Sequence, residues 1–140
     1  MQLDDLYREV IMDHYTHPRN KGMISPEALT VELKNPTCGD EITLQLLVED
    51  DRVKDVRFEG TGCSISMASA SMMSEAVKGK SVAEAKQISE EFRKLMKGQE
   101  ADPDLLGDLE SLGGVSRFPA RIKCATLAWN ALDRTTEQAL

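Results

Sequence analysis

The chain has 140 residues, 41% of them hydrophobic and 29% charged, which suits one domain spanning 1–140 with a core that holds without staples. Seventeen lysines and arginines against 24 acids leave a net charge of -7, which repels nucleic acid and anionic membranes and excludes a general polyanion-binding role. The acidic start Met1-Gln2-Leu3-Asp4-Asp5 lacks an apolar signal core and no apolar run approaches a membrane span. The protein therefore reads as cytoplasmic, where three cysteines point to metal or thiol chemistry rather than a disulfide framework.

Leu3, Leu6, Tyr7, Val10, Ile11 and His14 recur at helical spacing, predicting an amphipathic helix over 3–15 that ends at His17-Pro18. Residues 29–33 alternate and predict a strand. Ile42, Leu44, Leu46 and Val48 alternate with Thr43, Gln45, Leu47 and Glu49 and predict a second; a turn at Glu49-Asp50-Asp51-Arg52 returns the chain as a third over 53–58. The small-residue run Ser64 to Ala76 reads as a helix with Cys63 at its start, where the helix N-terminus favours a thiolate. Ser81-Val82-Ala83-Glu84 is a capping box opening a helix that carries Ala85, Ile88, Phe92, Leu95 and Met96 on one face and stops at Gly98. Asp102-Pro103 marks the start of a short helix with Leu105, Leu109 and Leu112 inward, ended by Gly113-Gly114. A last helix begins near Pro119, with Ile122, Ala125, Trp129 and Leu132 on one face and Cys124, Ala128 and Ala131 on the next. The order predicts an α+β domain, a small three-stranded antiparallel sheet with helices packed on one face.

The chemistry gathers at the edges of these elements. Asn35-Pro-Thr-Cys-Gly-Asp40 puts a thiol and a carboxylate two residues apart on a loop; Cys63 sits at a strand-to-helix junction and Cys124 early in the final helix. Three sulfurs and one oxygen match the ligand types of a tetrahedral zinc site, and Arg121 and Lys123 would offset its negative charge. Cys38, Cys63 and Cys124 are 25 and 61 positions apart with no CxxC pair, so spacing alone leaves open whether they bind metal or fill the core as small apolar residues. The lesser alternative for Asp40 is a turn former beside Gly39. His14 and His17 read as helix-face and helix-end residues, Met67, Met72 and Met73 as core filling, and the acidic run 100–110 as solvated surface. Gly60-x-Gly62 lacks the third glycine of a nucleotide fingerprint.

Asn35-Pro-Thr-Cys-Gly-Asp40, Gly60-Thr-Gly-Cys-Ser64 and Cys124-Ala-Thr-Leu-Ala128 resemble, in order, the three cysteine motifs of the U-type iron–sulfur cluster assembly family (IscU and the N-terminal domain of NifU). Asp13-His-Tyr-Thr-His-Pro-Arg-Asn-Lys-Gly22 resembles its N-terminal signature. Where the scaffold branch has a His before the third cysteine this chain has Lys123, and the span between its second and third cysteines is longer; both features resemble the SufU branch. The resemblance implies a SufE/IscU-like fold, zinc held by Cys38, Asp40, Cys63 and Cys124, and transfer of persulfide sulfur from a SufS-like cysteine desulfurase, with other SUF assembly proteins as further partners. Cys38, beside the flexible Gly39, is the expected nucleophile that accepts sulfur, with Cys124 the alternative and Arg121 a guide for the anionic persulfide. Two other roles stay open at this point. One is a scaffold on which a transient iron–sulfur cluster is built, the other a structural zinc domain that only binds a partner. The chain is too short for a pyridoxal-phosphate desulfurase domain, so sulfur would arrive from another protein.

Overall fold

The computed structural model describes residues 3–24, 26–35 and 39–138. The faces of Leu3 and Leu6 and the loop positions 36–38, Cys38 included, lie outside the described residues. Helix α1 (Leu3–Thr16) leads into a three-stranded antiparallel meander, β1 (Leu29–Asn35), β2 (Asp40–Glu49) and β3 (Arg52–Thr61), in the order β1-β2-β3. Helices α2 (Ser64–Val77), α3 (Val82–Met96), α4 (Pro103–Leu106) and α5 (Pro119–Gln138) follow, with a 3-10 helix over Gly107–Arg117 between the last two. The α+β class, the antiparallel sheet and its packed helices are as the sequence predicts.

Alternation sets the sheet. Leu44, Leu46, Val56 and Phe58 are fully buried on the face that α2 and α5 cover, and register pairs Leu44 with Phe58 and Leu46 with Val56. The turn between β2 and β3 works because Asp50 and Asp51 both adopt positive φ, 53° and 61°, the geometry that matches strand twist and that short polar residues tolerate. On the other face Gln45 is buried as well. Its Oε1 accepts the Ile24 N–H at 2.5 Å and its Nε2 donates to Thr30 Oγ1 at 3.1 Å, so the segment after α1 folds back over the sheet. That segment also runs along β3: Gly22 N–H donates to the Phe58 carbonyl at 2.8 Å, and Phe58 N–H donates to the Asn20 carbonyl at 3.1 Å.

Helix α2 lies at the centre of the helical layer, touching α1, α5 and β3. Its small residues let neighbours approach, and three of its buried serines, Ser69, Ser71 and Ser74, make side-chain hydrogen bonds within the chain. Ser69 Oγ donates to the Ala125 carbonyl at 2.6 Å and accepts from Trp129 Nε1 at 3.1 Å, binding α2 to α5. Trp129 in turn stacks on Phe92 of α3, ring centres 4.7 Å apart. Ser71 Oγ accepts the Arg19 N–H at 2.8 Å and pairs with His14 Nδ1 at 2.8 Å, fixing α1. Ser81 and Glu84 form the predicted capping box on α3.

One predicted element differs. The short helix after Pro103 lasts only to Leu106 and tightens into the 3-10 helix, so Leu105 turns outward at 37% exposure and Leu106 takes the inward place. Gly113-Gly114 does not end it; the turn continues to Arg117. Three residues per turn, not 3.6, put Leu109, Leu112 and Val115 on one buried row.

Candidate metal centre

Three elements end at one point. Asp40 is the first residue of β2, its backbone paired with Asn35 of β1. Cys63 caps the N-terminus of α2, and Cys124 lies in the second turn of α5. One carboxyl oxygen of Asp40 and the two sulfurs lie within 4.8 Å of one another. Asp40 and Cys124 are each 1% exposed and Cys63 is half-buried, so the group opens outward at Cys63.

Local backbone groups hold these atoms. The Cys63 N–H donates to Asp40 Oδ1 at 3.0 Å, and Cys63 Sγ accepts the Ser66 N–H at 3.5 Å, the bond an N-cap side chain makes. Cys124 Sγ donates to the Ala120 carbonyl at 3.9 Å. Asp40 Oδ2 is buried without a hydrogen-bond partner among the described residues. A buried carboxyl oxygen in that condition is costly unless something positive meets it. Two thiols and a carboxyl oxygen with a free lone pair are the donor types zinc takes, so these residues fit the ion. The fourth expected ligand, Cys38, lies outside the described residues. Next to it, Gly39 has φ 74° and its N–H returns to the Asn35 carbonyl at 2.8 Å, a turn that suits glycine.

Arg121 faces the same sulfurs. A thiolate at Cys63 raises the Arg121 pKa above its ordinary value, with a hydrogen bond to Cys63 and then a thiolate at Cys124 adding to it. Lys123, by contrast, is simply exposed. His14 is not a ligand here: it is 2% exposed and committed to Ser71. Met67, Met72 and Met73 are buried in the core.

Beside the centre runs an open groove of about 650 Å³ between α1, the start of α2 and the end of the 3-10 helix. Ile11, Ile65 and Val115 form apolar lining, while Arg8, Arg117 and the 61% exposed Phe118 edge it, and Arg121 stands where the groove meets the sulfurs. Among the described residues no helix is long and apolar enough to cross a membrane.

Sequence reasoning found Asp40, Cys63, Cys124 and Arg121 but passed over Gly62, whose neighbour in space is Asp40 Oδ1. The available signal was a glycine directly before a candidate ligand at a strand end.

A small α+β fold that delivers two thiols and a carboxyl from a strand start and two helix starts to one half-open point defines a cysteine-based metal-site domain. The chain belongs to the family described as the NifU-like N terminal domain, whose model matches residues 6–133. It is 56% identical over 133 residues to the zinc-dependent sulfurtransferase SufU of Bacillus subtilis (strain 168), covering 94% of this chain and 90% of that protein. It is 44% identical over 139 residues to the iron–sulfur cluster assembly scaffold protein IscU of Streptococcus pyogenes serotype M1, covering 99% and 87%. The fold is similar to a crystal structure given as a candidate iron–sulfur cluster assembly scaffold protein for the SUF system of Fervidobacterium islandicum AW-1, with TM-score 0.84, 36% identity and coverage of 96% and 99%.

Proposed function

We propose that the chain is a zinc-dependent sulfur acceptor of iron–sulfur cluster biogenesis, working in the cytoplasm with a cysteine desulfurase. The observation that carries this reading is the meeting of Asp40, Cys63 and Cys124 within 4.8 Å, with a buried Asp40 oxygen that has no hydrogen-bond partner among the described residues. The name of the Bacillus subtilis relative supports it, and Lys123 in place of a ligating His agrees with a site kept for zinc. Cys38, Asp40, Cys63 and Cys124 would hold the ion, and zinc bound there supplies a redox-inert Lewis acid that keeps thiols deprotonated.

Cys38 is the proposed nucleophile. Its thiolate attacks the outer sulfur of a persulfide carried by the partner; the new S–S bond forms at Cys38 Sγ as the partner's S–S bond breaks, and the partner's cysteine leaves as a thiolate with the electron pair. No external oxidant or reductant is needed. Arg121, already drawn to the sulfurs of Cys63 and Cys124, supplies positive charge where an anionic persulfide would arrive. The apolar groove edged by Arg8 and Arg117 offers the desulfurase a face adjoining the cysteines.

The test is metal content after anaerobic purification, followed by desulfurase turnover with and without the chain. One zinc per chain, no iron, and a stimulation of turnover abolished by Cys38→Ala are expected. Iron and sulfide at the same cysteines would make the chain a cluster scaffold instead, the role named for its Streptococcus pyogenes relative. Zinc without any persulfide on the chain would reduce it to a structural zinc domain.

A further inference from the structure

Two glycines flank Thr61, and they are glycines for different reasons. Neither has a positive φ, so backbone freedom explains neither. A β-carbon at Gly60 would run into the Glu41 backbone carbonyl of the neighbouring strand, which cannot move without breaking the β2–β3 pairing. A β-carbon at Gly62 would lie 2.6 Å from Asp40 Oδ1, 3.1 Å from its Cγ and 3.2 Å from Ser66 Oγ. Those atoms belong to side chains that can turn away. The clash at Gly60 falls on the sheet, whereas the clash at Gly62 falls on the carboxyl of a candidate ligand.

We infer that Gly62 is a positioning residue for Asp40: the empty space at 62 lets the carboxyl sit with Oδ1 fixed by the Cys63 N–H and Oδ2 left free for a metal ion. This rests on the reading of Asp40 as a zinc ligand. The two oxygens have separate tasks in that arrangement. Oδ1 is held at 3.0 Å by a backbone donor that belongs to the residue after Gly62, so the same short stretch supplies the tether and the room for it. A methyl group at 62 cannot coexist with Oδ1 where it stands. The carboxyl must rotate off the Cys63 N–H, and the free oxygen moves with it. The thiolates are untouched, so the site loses the aim of its oxygen donor while keeping its sulfurs. Groups that orient metal ligands from behind are worth about 10–100-fold in metal affinity, and Gly62 acts in that way by leaving space.

The experiment compares the full chain as wild type, Gly62→Ala, Asp40→Asn and the double variant, with Gly60→Ala as the contrast. Zinc affinity is read by competition with a chromophoric chelator, ligand geometry by the visible bands of the cobalt(II)-substituted protein, and fold by circular dichroism after metal removal. Gly62→Ala should weaken zinc binding about tenfold or more, shift the cobalt bands as Asp40→Asn does, and leave the metal-free spectrum unchanged. The double variant should bind zinc no more weakly than Asp40→Asn alone, because both changes remove the same oxygen. Gly60→Ala should disturb the metal-free fold itself. Wild-type zinc affinity in Gly62→Ala together with a loss in Asp40→Asn would overturn the positioning role and leave the ligand assignment standing. So would losses that add in the double variant, or a metal-free Gly62→Ala spectrum that resembles Gly60→Ala. Wild-type zinc affinity in Asp40→Asn would remove the ligand assignment, and this inference with it.

Discussion

At Asp40 two demands on one side chain conflict. A buried carboxyl near two sulfurs, one of its oxygens without a hydrogen-bond partner among the described residues, serves a cation but burdens the protein without one. Asp40→Asn keeps the shape and the acceptor for the Cys63 N–H, and replaces the unpaired carboxylate oxygen by a neutral amide, removing the buried charge. The metal-free variant should therefore be more resistant to urea than metal-free wild type, by about 1 kcal/mol, while the zinc-loaded order reverses. Equilibrium unfolding with and without chelator checks both signs. The residues themselves were legible in the sequence: Cys63 at a helix start and Asp40 beside Gly39 could be read from local pattern. Gly62 could not. In Gly60-Thr-Gly-Cys-Ser64 the two glycines look alike, and only the β2–β3 register sets Gly60 against the Glu41 backbone and Gly62 against the Asp40 side chain.

At the scale of elements, the site depends on α2 being held in place by its serines. Ser71 Oγ serves both His14 Nδ1 and the Arg19 N–H, so one hydroxyl joins α2 to α1 and to the chain that follows it. Ser71→Ala strands both groups and should cost about 1–3 kcal/mol in urea unfolding, far more than the loss of one exposed hydroxyl. Metal affinity of the folded fraction should change little, since these bonds run from Ser71 to α1 and the chain after it rather than to the ligands. Helix α2 was predicted from its small residues, and the capping box of α3 from four letters, because both signals are local. Over 102–117 the local pattern is ambiguous, because the leucines Leu105, Leu106, Leu109 and Leu112 satisfy more than one helical period. Packing of Leu106, Leu109, Leu112 and Val115 against the core decides for the tighter one, and a sequence does not contain that packing.

For the molecule as a whole, charge is divided between faces. A chain of net charge -7 nevertheless sets Arg8, Arg117 and Arg121 around an apolar groove next to its sulfurs. If the sulfur donor docks there, Arg117→Glu should raise the concentration of chain needed for half-maximal stimulation of the desulfurase several-fold, with little change at saturation. Raising salt from about 0.05 M to about 0.5 M should shrink that difference, because exposed charges are screened over a few ångströms. Titration of turnover at the two salt concentrations reads it directly. Charge also keeps such molecules apart in solution, but it is not the only guard. A terminal strand displays unpaired backbone groups that recruit strands from other copies. At Phe58 the bonds from Asn20 and Gly22 occupy those groups, so the short run after α1 works as a selvedge on the sheet. Ser71, which anchors α1 and accepts the Arg19 N–H, thereby also holds in place the run that covers this part of the β3 edge.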